Sequence, residues 1–183
     1  MDTDILLKSA ETILQPWTIE EKRPEGNRLD IFVSAANLPA AVQSLVDAHW
    51  GHLSAITGLD RAAPAPIQPA AKPGQPAVEA PLAQATTAEI AAPEGYLEVL
   101  YHFCQGPAVL TVRVVVPYSQ AVIPSICKAA PAASLYEREL MEMFGIQVQD
   151  TPVTQKLLLP DDWPEGVYPL RKSFTGFSDK SEA

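Results

Sequence analysis

The chain has 183 residues, 47% of them hydrophobic, and a formal net charge of −9. That length fits one domain, or one domain with an appended tail, and it can bury a core without disulfide staples. The acidic balance argues against a nucleic-acid surface, which needs clustered Lys and Arg to meet phosphate, and no apolar run approaches the length of a membrane span. Met1-Asp2-Thr3-Asp4 carries no basic n-region, so the start is not read as a signal peptide. Cys104 and Cys127 lack metal-ligand spacing and are expected to be buried, reduced thiols.

Residues 3–14 predict a helix, with Leu6, Ala10 and Ile13 on one face and Pro16 ending it. Two short extended runs, 17–22 and 28–33, flank Pro24-Glu25-Gly26-Asn27, which is turn chemistry and predicts a hairpin. Asn37 is a candidate N-cap for a helix with Leu38, Val42, Leu45 and Val46 on one stripe, stopping near Gly51. A third strand is expected over 52–59. Residues 61–94 are dominated by Pro and Ala and contain no aromatic residue. Such a segment cannot bury enough apolar surface to offset its ordering entropy, and its immediate reading is a linker.

Regular patterning resumes at Tyr96. Leu97, Val99, Tyr101 and Phe103 alternate along one strand, and Leu110, Val112, Val114 and Val116 along the next. Gln105-Gly106-Pro107 connects them, which makes this hairpin the expected centre of a sheet. On the second strand Val109, Thr111, Arg113 and Val115 take the other face. Pro124 and Ser125 predict the opening of a short helix over 122–129. Ser134 and Glu137 have the S-x-x-E spacing of a capping box, which would start a helix at Leu135. Gly145 stands where a left-handed residue ends it, and Tyr136, Leu140, Met143 and Phe144 form the stripe that should face the sheet. After Val148, Pro152, Pro160, Pro164 and Pro169 forbid a helix of any length and weaken a central strand. This tail still holds Leu157, Leu158, Leu159, Trp163, Val167, Tyr168, Leu170 and Phe174, an apolar density that needs a covering surface.

The predicted fold class is therefore α+β: an antiparallel or mixed sheet with packed helices, followed by a long extended C-terminal arm. The candidate site residues carry no standard catalytic apparatus. Glu137, Arg138 and Glu139 could act in acid–base chemistry, form a solvated face, or build a partly buried ion-pair network at an interface. The network reading is favoured, because Arg138 and Glu142 stand four apart on the helix and Arg binds carboxylate bidentately. Arg171-Lys172 could serve phosphate or a lipid headgroup. An interface anchor is preferred, since Pro169-Leu170 fixes the backbone just before it. His49 and His52 lie beside Trp50 and Gly51 with no carboxylate or Cys near in sequence, so they are read as background rather than metal ligands. His102 reads as a surface or half-buried strand residue, and Trp163 as a packing anchor.

Three blocks in fixed order carry a resemblance. Glu137-Arg138-Glu139 runs on through Glu142 to Phe144-Gly145-Ile146, Leu158-Leu159-Pro160-Asp161-Asp162-Trp163-Pro164 follows, and Pro169-Leu170-Arg171-Lys172 comes last. They resemble the 30 kDa subunit family of respiratory complex I, NADH-quinone oxidoreductase, and its relatives in membrane-bound energy-converting [NiFe] hydrogenases. The likeness covers about residues 95–176 well and 1–60 in outline. It departs at Asp150-Thr151-Pro152, where the family often has Gly-His-Pro, and at Ser173, where an aspartate is usual. The resemblance implies that 61–94 is a loop inserted into one domain, 1–149, with 150–183 an arm that docks on a partner. It implies a structural, assembly subunit with no active site and no cofactor (catalytic, cofactor and metal residues all none). The implied partners are the large catalytic subunit and a neighbouring iron–sulfur subunit, with membrane association only through the complex, on the cytoplasmic side. The implied interface residues are Glu137, Arg138, Glu139, Gly145, Trp163, Pro169, Leu170, Arg171 and Lys172. The Leu-Leu-Leu-Pro-Asp-Asp-Trp-Pro run leans toward the hydrogenase branch, with complex I the alternative. Rival readings from other classes are a free-standing soluble adaptor and a small enzyme using Glu137 and Glu139.

Overall fold

The computed structural model describes residues 2–61 and 95–177. Residues 62–94, nearly all of the Pro/Ala-rich segment expected to be a loop, lie outside the described residues, as do Met1 and 178–183.

Helix α1 (Thr3–Leu14) is capped by Asp2, whose Oδ1 accepts from the Asp4 amide at 3.0 Å. It buries Leu6, Leu7, Ala10 and Leu14, while Ile13 packs at the margin of the core. Pro16 sits in a single 3-10 turn, Gln15–Trp17, that ends the helix. The hairpin follows as expected, with β1 (Glu20–Lys22) antiparallel to β2 (Arg28–Phe32). Helix α2 (Leu38–Asp47) buries Leu38, Ala41, Val42 and Leu45. Asn37 is not its side-chain cap. A 3-10 turn, Ala35–Asn37, already brings the chain in helically, and Ser34 Oγ accepts the Asn37 amide at 3.3 Å. Trp50 then plugs the α1–α2 junction, its indole N–H donating to Leu6 O at 3.1 Å and Ser9 Oγ at 3.0 Å.

Strand β3 (His52–Arg61) pairs antiparallel with β4 (Tyr96–Gln105), so Arg61 stands opposite Tyr96. β4 in turn pairs antiparallel with β5 (Ala108–Pro117) through the Gly106 turn. β5 lies parallel to β2, which gives a mixed five-stranded sheet in the order β1-β2-β5-β4-β3. The two longest apolar alternations thus occupy adjacent inner strands, as their patterning requires. Leu97, Val99, Tyr101, Phe103, Leu110, Val112, Val114 and Val116 all point to one buried face. Helix α1 covers β2 and β5 on that face, and α3 (Ala133–Phe144) covers β3. The approach of α3 is close. A Cβ on Gly58 would lie 2.5 Å from the Phe144 ring, so only glycine fits there.

Two local expectations fail around α3. Residues 122–129 do not form a helix. Val122–Pro124 is strand β6, paired in parallel with β7 (Gln147–Gln149), and turns follow it. A helix of eight residues is marginal by itself, and here long-range partners outcompete it. The α3 start also lies earlier than the Ser134–Glu137 spacing suggests. The helix begins at Ala133, the residue before it makes no side-chain cap, and Glu137 turns inward instead of back to the helix end.

No helix covers the second face of the sheet among the described residues, and it carries an ion-pair network instead. Arg113 donates to Asp30 Oδ2 at 2.7 Å and, through Nε, to Glu98 Oε1 at 2.6 Å. Glu98 also takes Arg61 Nε at 3.2 Å, and the Arg113 guanidinium lies 4.8 Å from the centre of the Phe32 ring. His102 sits in the same layer, half-buried, with Nδ1 3.2 Å from Thr111 Oγ1. Burial, helped by the charge of Arg28, holds its imidazole below the ordinary histidine value.

Candidate docking surface

Helix α3 divides the E-R-E-x-x-E block among different tasks. Glu137 is 1% exposed and points into the protein. Its Oε1 accepts the Ile126 amide at 2.8 Å, and its Oε2 accepts Ser125 Oγ at 2.9 Å and the Cys127 thiol at 3.2 Å. It thereby ties the turn after β6 to the helix. Burial is the main reason the Cys127 thiol is pushed up to about 11, so it stays protonated. The spacing of Arg138 and Glu142 predicts that they pair with each other along the helix. Both reach instead for the backbone of the arm. Arg138 Nε and Nη2 donate to Gln155 O at 2.8 Å and Lys156 O at 2.7 Å. Glu142 accepts the amides of Leu158 at 2.9 Å, Leu159 at 2.8 Å and, closer still, Leu157. The physical need is plain. A proline-interrupted segment has no ladder for its own N–H and C=O groups, so an acid and a base one turn apart supply both kinds of partner. Glu139 lies between them, half-buried, with no hydrogen bond or ion pair among the described residues.

A second set of contacts closes the C-terminal end of α3. Gly145 has φ +67° and its amide bonds Met141 O at 3.1 Å, the left-handed cap its position predicts. A Cβ there would run into the Tyr168 ring, so glycine also makes room for the arm. The arm then reaches the orphan carbonyls of the last turn. The Leu170 amide donates to Met143 O at 3.1 Å, and Arg171 Nε to Phe144 O at 2.6 Å. Pro169, half-buried, lies inside the turn closed by the Arg171 amide on Tyr168 O at 3.1 Å. The Arg171 guanidinium is 4.6 Å from the Tyr118 ring centre and 5.9 Å from that of Tyr168. Lys172 donates its amide to Asp60 Oδ2 at 2.7 Å, and the Tyr118 hydroxyl binds the other oxygen of Asp60. Trp163 donates to Val167 O at 2.8 Å and stacks edge-on with Phe177 at 5.1 Å and tilted with Phe174 at 6.2 Å.

The sequence calls for a surface to cover the arm, and part of that surface belongs to the chain itself. The arm's backbone is pinned along α3, and Leu159 packs at the core margin. Its outer side chains are another matter: Leu158, Leu170 and Phe177 are 58%, 51% and 59% exposed. Of the residues singled out from sequence, Arg138, Gly145, Pro169, Leu170 and Arg171 gather along α3 and its end. Trp163 heads a separate aromatic group, and Glu137 faces inward. Tyr118 and Asp60 escape sequence reasoning, because nothing in their spacing marks a strand end and an arm as neighbours, and Tyr168 is legible only as one of the arm's apolar residues.

The arm clasp should respond to acid. Burial alone would push the Glu142 carboxyl up, but the amides of Leu159, Leu158 and Leu157, with Arg138, hold it below the usual carboxylate value of 4.5. A depressed folded pKa means the contribution is present above that value and lost as pH falls through the lower, folded one. Hydrogen-exchange protection of residues 157–159, corrected for intrinsic rates, should hold down to about pH 4.5 and drop below it. In Glu142→Gln that protection should be low at every pH. Protection that is flat with pH in the wild type would mean the clasp does not depend on this carboxylate.

The comparisons with known proteins bear on the same residues. The profile of the respiratory-chain NADH dehydrogenase 30 kDa subunit matches residues 31–180. The chain belongs to this family. A hydrogenase relative, the membrane-bound hydrogenase subunit beta of Pyrococcus furiosus, is 36% identical over 88 residues, 47% of this chain and 51% of that protein. Hydrogenase-4 component G of Escherichia coli is 27% identical over 172 residues, 92% of this chain and 26% of its own. This member of the 30 kDa subunit family thus spans about half or less of the length of those curated relatives. A chain of the membrane-bound sulfane sulfur reductase, an archaeal respiratory membrane complex, shares the fold with a TM-score of 0.59 at 22% identity, over 92% of this chain and 84% of that one. Among the described residues, no helix is long and apolar enough to cross a membrane.

Proposed function

We propose that the chain is a non-catalytic structural subunit of a complex-I-like membrane-bound redox complex, seated on the large catalytic subunit through α3 and the arm. One observation carries this reading. The arm's backbone groups are taken up by Arg138, Glu142 and the end of α3, while Leu158, Leu170 and Phe177 are left facing outward. A clasped segment that presents apolar side chains loses little conformational freedom when a partner covers them. A neighbouring iron–sulfur subunit is the expected second partner, and contact with the membrane, on its cytoplasmic side, comes through the complex. The Leu-Leu-Leu-Pro-Asp-Asp-Trp-Pro run and the hydrogenase relatives support the energy-converting [NiFe] hydrogenase branch. The family's own description keeps NADH:quinone oxidoreductase as the second reading.

The test is affinity purification of the tagged chain from its host, with the co-purifying large subunit identified by mass spectrometry. A large subunit with two Cys-x-x-Cys pairs assigns the hydrogenase branch, and one without them, beside NADH-binding subunits, assigns complex I. The double variant Leu158→Asp/Leu170→Asp should fold normally and lose the large subunit, since both side chains are exposed in the free chain. A wild-type chain that runs alone overturns the proposal and leaves the adaptor reading.

A further inference from the structure

Arg171 is half used by its own fold. Its Nε is committed to Phe144 O at 2.6 Å, and the plane of the guanidinium is held against Tyr118 at 4.6 Å. The opposite end of the fork carries Nη1 and Nη2, four N–H donors, and no described residue supplies an acceptor for them. Asp60, the carboxylate whose charge acts on the guanidinium, binds the Tyr118 hydroxyl through one oxygen and the Lys172 amide through the other, with no hydrogen bond to Arg171. Leu170, 51% exposed, stands immediately beside the group. We propose that the free end of the Arg171 fork is the receptor for a carboxylate side chain, Asp or Glu, of the subunit that covers Leu170.

The geometry favours that ligand over a phosphate. Two parallel donors on one guanidinium edge match the two oxygens of a carboxylate. A phosphate dianion asks for more cations than this surface gathers, and a chain of net charge −9 does not attract free anions. The stacked ring and the Phe144 carbonyl fix the fork before the partner arrives, so little rotamer freedom is lost on pairing. Partial burial also pulls the guanidinium below its ordinary value, although Asp60 and Tyr168 oppose this, and a desolvated cation gains most from a matching anion. The inference rests on the docking proposed above.

The experiment measures affinity of the purified chain for the large subunit across a salt series, for the wild type and for Arg171→Gln, Arg171→Lys and Lys172→Gln. Gln and Lys at position 171 can still donate to Phe144 O, and the melting temperature of each free variant is recorded alongside. The expected result is a loss of about thirty-fold or more for Arg171→Gln and a smaller one for Arg171→Lys. The salt dependence of wild-type binding should be shallower in Arg171→Gln and unchanged in Lys172→Gln. A folded Arg171→Gln that binds with wild-type affinity and salt slope overturns the carboxylate receptor and leaves the docking reading intact. The receptor is equally overturned if Arg171→Gln keeps its affinity for the subunit but loses binding to phosphatidylglycerol vesicles, since the ligand is then a lipid phosphate. Failure of the wild type to bind the large subunit overturns the docking reading itself.

Discussion

Glu137→Ala should lower the stability of the free chain by about 3–5 kcal/mol, since it leaves two buried donors and one half-buried donor without their acceptor, at about 1–3 kcal/mol for each buried one, and removes packed volume. The donors are the Ile126 amide and the Cys127 thiol, whose bonds to the carboxylate are buried, and the Ser125 hydroxyl, which is half-buried. The side chain is 1% exposed, so the truncation also opens a void. The Tyr101 hydroxyl is buried with no hydrogen-bond partner among the described residues while Glu137 is in place, so it adds nothing to the difference. For a domain of this size the loss corresponds to a fall in Tm of roughly 6–20 °C. Glu137→Gln keeps one acceptor oxygen but turns an amide toward Ser125, so it should cost about half as much. Differential scanning calorimetry on the two variants reads both numbers. A Glu137→Ala protein that melts within about 3 °C of the wild type would show that the 125–127 turn is not held by this carboxylate.

That residue also shows where sequence reasoning stops. The hairpin β4–β5 is legible because one face alternates apolar residues over ten positions, and a period-two pattern of that length has few competitors. Helix α3 is legible from its stripe and from Gly145. The role of Glu137 is not. An S-x-x-E spacing describes a local bond to the helix end, but the carboxylate finds three donors twelve or fewer residues upstream that no periodicity reveals. The same limit hides the strand at Val122–Pro124, whose partner β7 lies beyond a whole helix. It hides the arm clasp too. Arg138 and Glu142 at i and i+4 look like a salt bridge on paper, and only the path of residues 155–159 turns them into two halves of one grip. The candidate docking surface is therefore readable as a set of residues, while the distribution of tasks among them is not. One helix anchors the core through Glu137, holds the arm through Arg138 and Glu142, and offers its last carbonyls to Leu170 and Arg171.

Arg113→Met should be the second costly substitution, at about 3–5 kcal/mol, even though it lies on the sheet face that no described helix covers. Ion pairs on an open face are ordinarily worth little, because water screens them. Exposure decides against that here. The side chains of Arg113, Asp30 and Glu98 are only 17%, 11% and 4% exposed, so removing the cation strands two nearly dry carboxylates. Glu98 keeps Arg61 at 3.2 Å, which softens its loss, whereas Asp30 keeps no side-chain partner among the described residues. Although burial acts to lower the Arg113 pKa, Glu98 and Asp30 raise it on balance, so the cation persists across the working pH range and the penalty should not vanish in mild base. Arg113→Lys keeps the charge but cannot span both carboxylates with a planar fork, and about 1–2 kcal/mol is expected for it. The triple variant Arg113→Met/Asp30→Val/Glu98→Leu removes the charges together and should recover most of the loss, as buried ion pairs replaced by packed apolar side chains usually do. Urea unfolding of the three proteins gives the comparison. A triple variant no more stable than Arg113→Met alone would show that the face depends on its polar bonds rather than on avoiding unpaired charge, and the argument from stranded carboxylates would fall.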